Sequence, residues 1–265
     1  MSKIIAIVRK ELSIHFTTVV GYACFAGFAL LLGTMFLQYL QGFVFQSNMY
    51  LKTRNPAMLA TLNLNDLVIA PTLYNALSLF LFIVPFLTMR LVAEEKKMKT
   101  FELLMSVPVT PFQLVLGKYL SAVVMILVTC LIALIYPVLL TRFSEDGAGT
   151  ASGIEWSSVL TGVAGVFLMG AAFAAFGLFT SSVTESPIIA ALIAFVGLLS
   201  WWMTGWVARA AEGWQRAVLT YLSPPTHVEG AIGGLFVTED LVFFLTSILT
   251  WLFLSYRVVE SHRWR

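Results

Sequence analysis

Apolar residues fall in six long runs, near Val19–Leu40, Leu73–Val92, Lys118–Leu140, Ser157–Thr180, Pro187–Val207 and Thr238–Tyr256. Each approaches or exceeds the roughly 20 residues a helix needs to cross about 30 Å of hydrocarbon. The runs are continuous rather than alternating, which predicts helices and not barrel strands. Polar residues supply the starts. Thr110-Pro111-Phe112-Gln113 has the pattern of a capping box with proline at the first helical position, so a helix begins before the third run and feeds into it. Ser186-Pro187 opens the fifth run in the same way, and Glu239 and Asp240 put acids in the first turn of the sixth, where the helix dipole favours them. Ahead of the first run, Ile4, Val8, Leu12 and Phe16 recur at every fourth position, with Lys3, Arg9, Lys10 and Glu11 elsewhere on the wheel. That spacing predicts an amphipathic helix lying in the membrane interface. The first run exceeds a signal-peptide apolar core and no Ala-x-Ala-like site follows it, so it reads as a retained span.

Composition agrees. Of 265 residues, 59% are hydrophobic and 11% charged, against about 25% charged in soluble domains. The expectation is an all-α integral membrane protein with one membrane domain over residues 1–265. A net charge of +2 is no footprint for nucleic acid. Cys24 and Cys130 lie within apolar runs and read as packing thiols. With the N-terminus inside, eleven Lys and Arg fall on the inner side and five (Lys52, Arg54, Arg142, Arg209 and Arg216) on the outer, which favours both termini inside. Trp156, Trp201, Trp202, Trp206 and Trp214 then fall at or beyond the outer interface. Small residues at helix-packing spacing, Ala23/Gly27, Ala29/Gly33, Gly170/Ala174 and Ala171/Ala175, suit close packing within one subunit or between two.

The centres of the spans carry no ionisable residue. Arg90, Lys118 and Glu185 sit at predicted ends and are expected to reach the headgroups. A proton-driven carrier would need a buried acid or histidine, and a voltage sensor spaced arginines. Gly117-Lys118 is the one Gly-Lys pair, and Phe112 stands where a phosphate loop needs its first glycine. His15, His227 and His262 lie in different segments, with no GxSxG or HExxH motif. His227 with Glu229 is the one pairing that a membrane-embedded lipid-modifying enzyme would use, and it lacks further aligned groups. No catalytic residue, metal site or cofactor is expected in the chain, and energy for any transport enters from outside the membrane.

The loop between spans two and three, Ala93 to Pro111, runs from charges (Glu94, Glu95, Lys96, Lys97, Lys99) through a short apolar helix to two prolines. It reads as a helix seeking a partner surface, or as a solvated charge run with a connector lying on the membrane. The block Glu94-Glu95, Thr100-Phe101-Glu102-Leu103-Leu104, Pro108-Val109 and Gly117-Lys118 resembles the signature of type-two ABC exporter permeases. Arg9-Lys10-Glu11-Leu12 and Ser181-Ser182-Val183-Thr184-Glu185 fit the same pattern. Tyr221–Gly230 is most similar to the gliding-motility-associated subgroup, with the copper-site maturation permeases close by. Lys99 departs from the pattern, standing where the family commonly has glycine.

The resemblance implies a bacterial inner-membrane permease subunit with both termini cytoplasmic. It would work with a separate ATPase that binds ATP and Mg, and with a second permease subunit, identical or paralogous. It implies a coupling helix at about 97–107, with Glu94, Glu95, Lys97, Thr100, Phe101, Glu102, Leu103 and Leu104 as candidate contacts. It also implies two short helices dipping back between spans five and six. The sequence supports these independently: Ala210–Leu222 is too short and amphipathic to span, Ser223-Pro224-Pro225 turns the chain, Thr226–Glu229 has capping-box spacing, and Gly233-Gly234 ends the second helix. Trp214, Tyr221, Pro224, Pro225, His227 and Glu229 are the candidate residues of this hairpin, either an outer gate over a translocation path or a surface feature. The Asn-rich stretch Gln41–Thr72 reads as a long outer loop, plain or binding an auxiliary protein, and Thr141–Trp156 as a flexible one.

Overall fold

A computed structural model describes residues 2–53, 62–101, 109–144 and 154–262, and among these there are helices and no strand. Helix α1 (Ser2–Thr17) bends at Thr18 into α2 (Val19–Thr53). A π-helical turn (Asn65–Ile69) leads into α3 (Ala70–Thr88), and a short α4 (Ala93–Lys97) follows. Then come α5 (Pro111–Ser144), α6 (Trp156–Val183), α7 (Pro187–Ala210), the short α8 (Gly213–Leu222) and α9 (Thr226–Ile232), and α10 (Thr238–Ser261). Six helices have the length and hydropathy to cross a membrane, as the six runs predict.

The start signals act as predicted at two places. Thr110 N–H donates to Gln113 Oε1 at 3.2 Å and Gln113 N–H to Thr110 Oγ1 at 3.3 Å, the reciprocal bonds of a capping box. Pro187 takes the first position of α7 after an extended Ser186. Within the expected outer loop 41–72, the described residues (41–53 and 62–72) are largely helical instead. Helix α2 runs 35 residues to Thr53, about 50 Å at 1.5 Å per residue, so it outruns a bilayer core, and Asn48 lies on it. No proline or glycine stops the chain between Phe43 and Thr53.

Helix α6 is the axis of the bundle. It packs against α3, α5, α7, α9 and α10. Of its most apolar stretch 67% is buried, and of that of α3 72%, against 17% for α7 and 22% for α2. Lipid is as apolar as leucine, so close backbone approach rather than water exclusion holds such helices together. The approach is closest where α6 has no side chain: a Cβ at Gly177 would lie 2.1 Å from Thr88 Oγ1 of α3. Gly170, Ala171, Ala174 and Ala175 are all buried within the chain, so this small-residue face packs intramolecularly.

Candidate functional site

The basic end of the bundle gathers α1, α4, the start of α5 and the ends of α3, α6 and α10. Lys118 is on the buried stripe of α5 with Leu114, Val115, Ala122 and Met125 and is 1% exposed. Expected to reach the headgroups, it turns inward instead. Its Nζ lies 2.8 Å from Glu11 Oε1 and 2.9 Å from Glu95 Oε2, and it donates to the Leu91 carbonyl. Lys10 Nζ lies 2.9 Å from Glu95 Oε1 and 3.6 Å from Glu11. Two lysines and two glutamates thus neutralise each other where unpaired charge would be costly. Burial works against the charge of Lys10, but Glu95 and Glu11 outweigh it and its pKa lies above the ordinary lysine value.

The same end fixes the segment before the candidate coupling loop from its other side. Ser181 Oγ of α6 accepts from the Val92 and Ala93 N–H groups at 3.0 and 3.1 Å and donates to the Met89 carbonyl at 2.9 Å. Lys96 donates to the Ser182 carbonyl and lies 3.1 Å from His262 Nε2 at the end of α10. Phe101 is buried edge-on to His262, and Thr100 N–H donates to the Glu95 carbonyl at 3.0 Å. The chain turns at Lys99, whose φ of 55° is in the left-handed region. The residue that replaces the family glycine therefore adopts the conformation glycine would favour.

These bonds separate the candidate coupling residues. Glu95 is buried in ion pairs, Glu94 is partly exposed and pairs with Arg90 at 3.4 Å, and Phe101 packs inward. Lys97, Met98 and Lys99 form an exposed tip, Met98 at 66%. Glu102, Leu103 and Leu104 lie outside the described residues.

At the opposite end α8 packs on α7 and α9 on α6. The Cβ atoms absent at Gly162 and Gly165 would lie 3.3 Å from Ile232 Cα and 2.9 Å from Ala231 Cβ, so α9 nests in a groove of α6 that side chains at these positions would crowd. The expected capping box at Thr226 does not form. Pro225 is the cap, and Thr226 Oγ1 instead donates to the carbonyls of Thr220 and Ser223, tying α9 to the end of α8. His227, 7% exposed, stacks on Phe243 at 4.0 Å. Its Nδ1 lies 2.7 Å from Asp240 Oδ1 and its Nε2 2.8 Å from the Tyr221 carbonyl. Both partners are acceptors, so the ring satisfies both only by donating from each nitrogen. Asp240, not the sequence-paired Glu229, is its carboxylate. Tyr221 stands edge-on to His227. Pro224 and Pro225 form the turn, and Trp214 is 75% exposed.

Aromatic rings run from this hairpin into the bundle. Phe243 meets Trp201, which meets Phe173 and Trp251, and Trp251 meets Phe176 and Phe179. Trp201, expected at an interface, points into this column and donates Nε1–H to the Leu222 carbonyl at 2.8 Å. Sequence reading missed Lys118, Glu11 and His15 as buried polar residues. The signal was available: Ile4, Ile7, Glu11 and His15 share one helical stripe, and Lys118 interrupts an apolar one.

A search of curated proteins finds no match to the chain. The sequence does match the family described as ABC-2 family transporter protein over residues 60–227, more than half of the chain. With six apolar spans around a glycine-lined central helix, and with the matched region running from before α3 to the turn of the hairpin, this chain belongs to the ABC-2 family transporter proteins as a membrane-spanning permease.

Proposed function

We propose that the chain is the permease subunit of an ATP-driven exporter whose separate ATPase docks at the basic end. The observation that carries this reading is the tip Lys97–Lys99. It projects from a segment whose other side is bonded to α1, α5, α6 and α10. A push on such a tip moves helices rather than a loop. The partner binds ATP and Mg, and differential nucleotide affinity for two permease states drives the change. Glu94, Lys97, Thr100 and Glu102 to Leu104 form the contact surface, while Glu95 and Phe101 hold its base. A second permease subunit pairs with this one, the basic end faces the cytoplasm of a bacterial inner membrane, and the α8–α9 hairpin closes the outer side. A role in gliding motility rests on Tyr221–Gly230 alone. The family match stops at residue 227 and does not carry it, so export is the reading preferred.

The experiment is co-purification with a candidate ABC ATPase from the same genome, followed by ATPase assay in liposomes. Lys97→Glu with Met98→Asp should abolish stimulation by the permease while leaving the permease folded. Unchanged stimulation by that variant rules out the tip as the docking point.

A further inference from the structure

Between α1, the elbow into α2, the end of α3 and α4 lies a cavity of about 250 Å³. Its walls differ in kind. Ile14, Val20 and Phe86 supply an apolar side, with Phe86 51% exposed on the flank of a spanning helix. Lys10, Arg90, Glu94 and Glu95 supply a charged side. His15 also lines it. The ring is 8% exposed and, among the described residues, makes no side-chain hydrogen bond. Burial lowers its pKa, which leaves a neutral imidazole with an acceptor nitrogen. Glu95 Oε2 is buried against the Lys118 ammonium at 2.9 Å and closes the inner end of the charged wall.

We propose that this cavity binds the headgroup of an aminophospholipid, a phosphate ester joined to a primary ammonium. The phosphate sits against Arg90 and Lys10. The ammonium donates to Glu94 and the His15 imidazole, and the acyl chains leave past Ile14 and Phe86 along the outside of α3. The chemistry selects among lipids. A headgroup without an amine brings no cation to offset the carboxylates when its phosphate takes Arg90 and Lys10 from them, and a quaternary ammonium has no N–H to donate. The position gives the site a consequence. Glu95 and Glu94 are on α4, directly before the exposed tip, so a bound headgroup tethers the coupling segment to the interfacial helix.

The test reads lipid retention on the full chain alone, without nucleotide or partner, so it stands or falls apart from the ATPase reading. The chain is reconstituted in nanodiscs of equal phosphatidylethanolamine, phosphatidylglycerol and phosphatidylcholine, and bound lipid is counted by native mass spectrometry. The expected result is phosphatidylethanolamine enriched about tenfold over the bulk mixture, as one charge-assisted hydrogen bond would give. Enrichment should fall stepwise with N-methylation of the lipid, a series that needs no variant. His15→Phe, which removes the imidazole acceptor at nearly constant shape, and Arg90→Met should each bring retention to the bulk ratio. Arg90→Lys should restore it, and Trp214→Ala at the far end should leave it unchanged. Retention in proportion to the mixture, or enrichment that survives both His15→Phe and full methylation, overturns the site. Stabilisation by soluble phosphoethanolamine equal to that by the lipid overturns the lipid as its source.

Discussion

Lys118 is the residue on which the basic end depends, because it is the fully buried cation between Glu11 and Glu95, whereas Lys10, which also reaches both, is half exposed. Replacing it with Met leaves two buried carboxylates short of a cation, and removing one partner of a buried pair costs about 3–5 kcal/mol. The expected outcome is a large drop in thermal midpoint in detergent, with Glu11→Gln or Glu95→Gln in the Met background recovering part of it. Lys99 tests the backbone alone. Its side chain is exposed, so Lys99→Gly should be neutral or stabilising, whereas Lys99→Val puts a β-branched residue at positive φ and costs about 1–2 kcal/mol. Denaturant titration of the purified variants distinguishes the two. His227→Phe keeps the stacking on Phe243 but leaves Asp240 and the Tyr221 carbonyl without their donor. The loss should be about 1–3 kcal/mol in all, the net worth of one hydrogen bond to a carbonyl and one to a carboxylate, read as the same kind of midpoint shift.

At the scale of elements, the hairpin is held by shape as much as by bonds. Helix α9 has too few residues to be stable alone, and its buried face (His227, Val228, Ala231, Ile232) exists because α6 is cut away at Gly162 and Gly165. Gly165→Val should push α9 off α6 without unfolding the spans. With Cys24 and Cys130 replaced by alanine, a cysteine at the buried Ala231 should react slowly with a water-soluble maleimide in the parent and rapidly in the Gly165→Val variant. Equal rates would mean that α9 is fixed by α8 and α10 instead. Spacing had marked these short helices and their proline turn. It did not show which acid His227 meets, since Glu229 is near in sequence but Asp240 arrives on another helix.

For the whole molecule, the ion cluster and the His227 site lie at opposite ends of the bundle, with α6 and α10 reaching both. The aromatic column along these helices begins at the hairpin with Phe243 and descends to Phe179, two residues before Ser181, which holds α4. If strokes at the tip move the hairpin through this column, Trp251→Ala should leave ATPase binding intact while uncoupling hydrolysis from the labelling rate of a hairpin cysteine.

Hydropathy determined six spans, because lipid imposes length and unbroken apolarity on each segment independently of its neighbours, and local polar and proline signals determined the N-terminal helix and the helix starts at Thr110 and Pro187. What tertiary structure decided was the pairing of polar groups: Lys118 and Glu95 look like surface charges along the chain, and Trp201 like an interface anchor. A charge is tolerated in a buried place only when a distant residue neutralises it, and whether that residue arrives depends on how the helices cross. One-dimensional spacing shows that a polar residue interrupts an apolar stripe, and only the packed bundle supplies its partner.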